Sequence, residues 1–111
     1  MSGTGHVELW ITVAAQSKLA PGQVLGLRIG DRHIAIYNVD GEYFATDNVC
    51  THAFALLHEG YLDGHVIECP LHGGCFDIRN GEGLGAPIIH DLKTYETRVV
   101  GEDIQIRLPS E

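Results

Sequence analysis

Two short stretches, Cys50-Thr51-His52 and Cys69-Pro70-Leu71-His72, decide how this chain folds and what it binds. Each stretch contains one cysteine and one histidine, and residues 53–68 separate the two stretches. Thiolate sulfur and imidazole nitrogen are both ligands of transition metals. The sequence therefore predicts one metal centre whose mixed ligand set is Cys50, His52, Cys69 and His72.

Two kinds of metal centre use two cysteines and two histidines. Zinc is one of them, and the other is the Rieske type of [2Fe–2S] cluster, in which two histidines replace two cysteines on one iron. The one-residue gap between Cys50 and His52 is shorter than the usual zinc knuckle, and no recognition helix follows. The pattern favours the iron–sulfur cluster, with zinc as the alternative. Visible absorbance separates the two, because zinc is colourless.

The spacing and its surroundings resemble one family, the Rieske-type [2Fe–2S] ferredoxins that serve bacterial aromatic-ring-hydroxylating dioxygenase systems. The stretches that carry this resemblance, besides the two ligand motifs, are Glu59-Gly60-Tyr61-Leu62-Asp63-Gly64, Ile67-Glu68, Phe76-Asp77-Ile78, Ala86-Pro87 and Lys93-Thr94-Tyr95. The resemblance implies one [2Fe–2S] cluster, with Cys50 and Cys69 on the inner iron and with His52 and His72 on the outer iron.

The same resemblance implies a role in electron transfer rather than catalysis. A ferredoxin of this family takes single electrons from a flavin reductase that oxidises NADH or NADPH. It passes them to the Rieske centre of the terminal oxygenase. We therefore expect no catalytic residues here, a flavin-containing reductase and an oxygenase as partners, and a monomeric chain. The alternative is the small Rieske-like subunit of assimilatory nitrite reductase, which has a similar size and fold.

Composition and charge agree with a small electron carrier. The chain has 111 residues, of which 44% are hydrophobic, so one domain over residues 1–111 is expected. Its net charge of −8 argues against nucleic acid, which needs a basic surface. No apolar run is long enough to span a membrane. Three cysteines suggest no disulfide framework, which is typical of a reducing compartment and predicts a cytoplasmic protein.

Short alternating segments separated by turn residues predict an all-β fold. Together with the resemblance they indicate a Rieske fold: a small antiparallel β-sandwich or barrel base, with a cluster-binding subdomain at about residues 46–87 that carries the two ligand loops. The expected strands are Val7–Ala14, Val24–Ile29, His33–Val39, Glu42–Thr46, Gly60–Leu62, His65–Cys69, Tyr95–Val100 and Ile104–Leu108. The turns expected between them are Gly30-Asp31-Arg32, Asp40-Gly41, Asp63-Gly64 and Gly101-Glu102, and residues 53–58 are expected to form at most one helical turn. The two ligand motifs are expected on loops at the ends of adjacent strands.

Four positions around the ligands predict the reduction potential. Rieske proteins of high potential carry a disulfide between the two ligand loops and hydroxyl groups near the second histidine. The corresponding positions here are Ala55 and Leu71 for the disulfide, and Gly74 and Phe76 for the hydroxyls. Hydrogen bonds to cluster sulfurs raise the potential. Their loss predicts a potential in the lower half of the Rieske range, which runs from about −150 to +300 mV.

Several further residues carry expectations of their own. Cys75 is expected to be a small buried hydrophobe rather than a ligand, and Pro87 to belong to a third loop that shields the cluster. Phe54 is expected to be exposed as part of a hydrophobic docking rim, while one or two of Leu56 and Leu57 are buried. The histidines outside the motifs are not expected to be ligands; they are His6, His33, His58, His65 and His90.

Overall fold

A computed structural model describes residues 9–51, 54–71 and 73–109. In these residues the chain forms ten strands: β1 Leu9–Ala15, β2 Val24–Ile29, β3 Arg32–Val39, β4 Glu42–Asp47, β5 Tyr61–Asp63, β6 Val66–Glu68, β7 Cys75–Asp77, β8 Thr94–Tyr95, β9 Thr97–Val100 and β10 Asp103–Leu108. Two single turns of 3₁₀ helix, Gln16–Lys18 and Leu57–Glu59, are the helical elements of the described part. The all-β prediction is confirmed.

The strands form three antiparallel sheets. The base has a three-stranded sheet of order β1-β10-β9 and a four-stranded sheet of order β2-β3-β4-β8. The third sheet, β5-β6-β7, lies between β4 and β8 in the sequence. Strand β7 was not expected, because its three residues are too few to show an alternating pattern. The sequence around Gly73 and Gly74 also indicates a loop.

Two of the four predicted hairpin turns lie at the expected residues, and the other two differ by one residue. Asp40 and Gly41 have φ values of 53° and 91°, as the type I′ turn between β3 and β4 requires. Gly101-Glu102 joins β9 to β10 as expected. Two predicted turns were misplaced. The β2–β3 loop is Gly30-Asp31, one residue shorter than expected, and the β5–β6 loop is Gly64-His65 rather than Asp63-Gly64.

Strand β3 is buried on both faces and separates two hydrophobic cores. Ile34 and Ile36 face the base core, whereas Ala35 and Tyr37 face the core on the other side, and none of the four is exposed to solvent. Alternate side chains of a strand point to opposite faces, so one strand can line two cores. The Tyr37 hydroxyl shares a hydrogen bond of 2.8 Å with Thr46 on β4.

The base core is formed by side chains of the two larger sheets. Its buried members are Leu19, Ile34, Ile36, Ala45, Tyr95, Ile104, Ile106 and Leu108. The predicted alternation on β10 is confirmed, since Ile104, Ile106 and Leu108 are all buried. The second core, called the cluster-side core below, contains Ala35, Tyr37, Cys50, Ala55, Leu57, Ile67, Cys69, Phe76, Ile78, Ile88 and Leu92.

Candidate metal centre

Cys50 and Cys69 come together although they follow strands of different sheets. Cys50 lies three residues after β4, and Cys69 follows β6 directly. The expectation that the motifs follow adjacent strands was therefore wrong, since β4 and β6 belong to different sheets. Both cysteines are almost fully buried, with exposed fractions of 4% and 1%. Both are members of the cluster-side core.

The environment of the two thiols suits a positively charged metal centre. Burial raises the pKa of the Cys69 thiol to about 11, although the Leu71 N–H group bonded to its sulfur favours the thiolate. A hydrogen bond to Cys50 and the charge of Cys50 raise this pKa further, so the two sulfurs are direct neighbours. Two adjacent thiolates are costly in a buried site unless a cation neutralises them. Iron supplies that charge, and the donor set therefore fits the cluster.

The first ligand loop, residues 48–58, closes on itself around Cys50. The Cys50 N–H group donates to the Ala55 carbonyl at 2.9 Å, and Val49 pairs with Leu56 in an antiparallel bridge. Leu57 is fully buried in the cluster-side core, as expected for at least one of the two leucines. A helical turn was expected within residues 53–58, whereas the 3₁₀ turn is Leu57–Glu59 and overlaps only the last two residues of that range. His52 and Ala53, in the middle of this loop, lie outside the described residues.

The second ligand loop, residues 69–74, is a tight turn. The Cys69 N–H group donates to the Gly74 carbonyl at 2.7 Å, and Gly73 has a φ of 71°, which favours glycine. His72 lies outside the described residues. Cys75 begins β7 and is half-buried rather than buried, and its thiol donates to the Gly73 carbonyl at 3.5 Å. The expectation for Cys75 was right in its small size but wrong in its full burial.

A third loop, residues 85–90, contacts the first one. The Thr51 hydroxyl donates to the His90 carbonyl at 2.8 Å. Ile88 packs into the core that holds Cys50 and Cys69, whereas Pro87 is exposed. The sequence indicated Pro87 as the shielding residue, but Ile88 is the residue of this loop that is buried in the core with the cysteines. An apolar residue next to a proline is too common a signal for the sequence to have shown this.

Large apolar side chains are exposed on all three loops or beside them. Phe54 is 100% exposed, as expected for the docking rim, and Ile89 is 82% exposed. Leu71 and Leu84 are close to half exposed. A shallow apolar cleft beside Phe54 is lined by His33, Val49, Ala55, Leu56 and Glu59. Exposed apolar groups concentrated in one region mark an interaction surface.

The four positions that were used to predict the potential surround the two ligand loops. Gly74 and Phe76 are buried beside the second loop and offer no hydroxyl group. Ala55 is buried next to Cys50, and Leu71 is exposed, so neither position supplies a disulfide sulfur. In the described part of the chain, the hydroxyl nearest to Cys50 in sequence is that of Thr51, and it is used by His90.

An all-β chain with two neighbouring buried thiols at loop ends defines a small metal-cluster protein. The family model of the Rieske [2Fe-2S] domain matches residues 9–96. Among curated relatives, the ferredoxin component of the naphthalene 1,2-dioxygenase system of Pseudomonas aeruginosa is 43% identical over 101 residues. That match covers 91% of this chain and 97% of the relative.

Solved structures agree with the sequence relatives. A chain from the complex of reduced oxygenase and oxidized ferredoxin in carbazole 1,9a-dioxygenase superposes with a TM-score of 0.85 and 36% identity, covering 92% of this chain and 95% of that chain. A putative NADH-dependent nitrite reductase small subunit from Mycobacterium tuberculosis has a TM-score of 0.81 but only 24% identity, covering 92% and 96%. The second likeness shows a shared fold alone.

The chain belongs to the Rieske [2Fe–2S] family, among the ferredoxin components of dioxygenase systems. It carries one Rieske-type [2Fe–2S] cluster, and it is an electron-transfer component rather than a catalytic enzyme. Within the described ranges, no helix is long and apolar enough to cross a membrane.

Proposed function

We propose that Cys50, His52, Cys69 and His72 hold the cluster, and that the chain carries single electrons from a flavin-containing NAD(P)H reductase to the terminal oxygenase of an aromatic-ring-hydroxylating dioxygenase. The observation that carries the proposal is the pair of neighbouring buried thiols on two loops that also expose apolar side chains. When bound, the cluster accepts and releases one electron at a potential that its histidine ligands raise.

The chain's own residues position the cluster between the apolar cluster-side core and a partner protein. The two cysteines lie on the core side, where Leu57 and Ile88 exclude water. The two histidines belong to the same short motifs and would form the side that faces the partner. Electron transfer needs close approach of two centres but little contact area, and transient redox complexes accordingly have small interfaces.

The charge of the cluster-side segment, residues 48–92, supports a partner with a basic docking face. This segment has six acidic residues and one basic residue, Arg79. Arg79 is already paired with Asp77 at 2.9 Å. Five units of the net charge of −8 therefore lie in the segment that holds both cysteines. Complementary fields of this kind increase the rate of encounter between redox partners.

One cluster beside one apolar surface supports a shuttle mechanism. The exposed residues Phe54, Leu71 and Ile89 would contact the reductase and the oxygenase in turn, so the ferredoxin dissociates from one before it binds the other. A monomeric chain in the cytoplasm, where NAD(P)H is available, fits this cycle. The third sheet and the ligand loops form the cluster-binding subdomain, at about residues 46–87, within the single domain of residues 1–111.

Reconstitution tests the proposal directly. The purified chain is mixed with NADH or NADPH, a flavin reductase, and the oxygenase of a naphthalene- or biphenyl-type system, and aromatic diol formation is measured. We expect turnover that depends on this chain and stops when it is omitted. If the chain supports no oxygenase but restores the NAD(P)H-dependent activity of a nitrite reductase large subunit, the nitrite reductase alternative is correct and the proposal fails.

Redox titration checks the predicted potential. Because Gly74 and Phe76 offer no hydroxyl group to the cluster, we expect a midpoint in the lower half of the range from about −150 to +300 mV. A midpoint well above the middle of that range would contradict the argument from the missing hydrogen bonds. The EPR spectrum of the reduced protein, recorded on the same samples, shows whether the ligand set is of the Rieske type.

A further inference from the structure

We infer that Asn48 and His58 are positioning residues that close the first ligand loop and hold Cys50 in its ligand geometry. This inference rests on the proposed ligand role of Cys50. Asn48 is buried, with 2% of its surface exposed, and its side chain makes two hydrogen bonds to one residue. Its Oδ1 accepts from the His58 backbone N–H group at 2.9 Å, and its Nδ2 lies 2.9 Å from His58 Nδ1.

The first of these bonds sets the direction of the second. Because Oδ1 accepts the backbone N–H group, the amide group of Asn48 turns its Nδ2–H donor toward the imidazole. His58 Nδ1 is therefore the acceptor, and the imidazole proton is on Nε2.

A side chain, rather than the backbone, makes the outermost bond of this loop. The Asn48 carbonyl accepts from Leu57 N–H at 2.7 Å, but the Asn48 N–H group donates to the His33 carbonyl on β3 at 2.8 Å. The N–H group of His58, the next donor along the chain after that of Leu57, donates to the Asn48 side chain at 2.9 Å. Inward of the Leu57 bond, the Cys50 N–H group donates to the Ala55 carbonyl, so the Asn48 side chain makes the outermost of the bonds that enclose the cysteine.

The His58 ring is itself held by the base. Gly26 on β2 lies against the ring so closely that a Cβ atom at this position would overlap His58 Nδ1. The glycine thus makes room for the imidazole, and the imidazole connects the loop to the four-stranded sheet. Nothing in the spacing of the ligand motifs indicates this contact, because residue 26 is distant from them in the sequence.

Three variants separate hydrogen bonding from simple packing. Asn48→Ala removes both bonds and leaves the part-buried His58 N–H group without its acceptor. His58→Leu fills the site beside Gly26 but offers no acceptor to Asn48. His58→Asn places an amide oxygen close to the position of Nδ1 and can restore the acceptor. The matched control is Ile104→Ala in the base core, which lowers stability without touching the loop.

The measurements are the rate at which a chelator bleaches the cluster absorbance and the EPR linewidth of the reduced protein. We expect bleaching at least about tenfold faster in Asn48→Ala, because the variant loses both bonds, with broadened lines from a less uniform loop. His58→Leu should bleach several-fold faster, and His58→Asn should stay within about twofold of the parent. Ile104→Ala should keep the parent linewidth.

Two results would overturn the inference. One is an Asn48→Ala protein whose bleaching rate and linewidth match those of the control at equal unfolding midpoint. The other is a His58→Asn protein as impaired as His58→Leu, because the acceptor would then be irrelevant. Either result leaves the ligand assignment intact. By contrast, a parent protein without a Rieske EPR signal would refute the proposed ligands themselves.

Discussion

The two hydrophobic cores on either side of β3 are built differently. The base core consists of aliphatic and aromatic side chains, most of them from strands of six to eight residues that their own sheets already hold in place. The cluster-side core takes most of its members from short strands and loops, and it includes both cysteines. We therefore expect the base core to be stable without the metal, and the cluster-side core to depend on loop hydrogen bonds and on the bound cluster. The base core thus supports the fold, whereas the cluster-side core holds the centre that carries the electron.

Removal of one ligand should have the largest effect. We expect Cys50→Ser to abolish or nearly abolish the visible absorbance of the cluster, since a hydroxyl replaces a thiolate ligand, while the base retains its β-sheet circular dichroism. Cys75→Ser is the matched control, because Cys75 is half-buried on β7. Loss of the cluster in Cys75→Ser, or its full retention in Cys50→Ser, would show that the ligands were assigned wrongly.

Truncation in each core should separate folding from cluster retention. Ile106 and Leu57 are both fully buried, one in each core. Truncation of either to alanine should lower the free energy of unfolding by about 2–5 kcal/mol. Only Leu57→Ala should also release the cluster faster than its lower stability explains. Denaturant unfolding gives the first quantity, and chelator bleaching at matched stability gives the second. Equal bleaching would contradict the division into two cores.

Alkaline pH should weaken the cluster-free protein more than the loaded one. Burial raises the pKa of Cys69 from 9.0 to about 11. Between these values the unfolded chain binds fewer protons than the folded chain, so the free energy of unfolding falls as pH rises from about 9 to about 11.

The size of this effect should be on the order of 1 kcal/mol. Denaturant midpoints of the cluster-free protein at several pH values measure it, and Cys69→Ser should remove this share of the slope. The slope that Tyr95 contributes, because its pKa is raised to about 12, is common to both proteins. A slope that is unchanged in Cys69→Ser would contradict the assignment.

Charge reversal should have the smallest effect and should depend on location. Two variants of equal net charge are compared, Glu59→Lys and Glu102→Lys. Glu59 is exposed beside the first ligand loop, and Glu102 is exposed in the β9–β10 turn of the base. We expect Glu59→Lys to slow electron transfer to the oxygenase a few-fold at low salt, and Glu102→Lys to change it little. Stopped-flow kinetics at several salt concentrations measure this. Equal effects would mean that net charge, not the cluster-side segment, steers docking.

The sequence predicted the cofactor and most of the strands, but it did not predict how the loops around the cluster pack. Turn residues such as Asp40-Gly41 and the alternation on β10 were enough to predict most strands, because each signal is local. The place of Ile88 in the core that holds the cysteines and the pair Asn48–His58 were not predictable, since each involves residue types that are common in loops. Strand β7 was missed for a related reason: its pairing with β6, rather than its own pattern, makes it a strand.

Because β3 is buried on both faces, its length is fixed in a way that the lengths of the loops are not. One inserted residue in its middle would turn every later side chain to the opposite face. Tyr37 would then enter the space of the base aliphatic residues, and Ile36 would face the cysteines. Natural variation in chain length among related ferredoxins should therefore avoid residues 34–37 and accumulate at the hairpin turns. The same residues are the wrong place for a fusion, a label or a circular permutation.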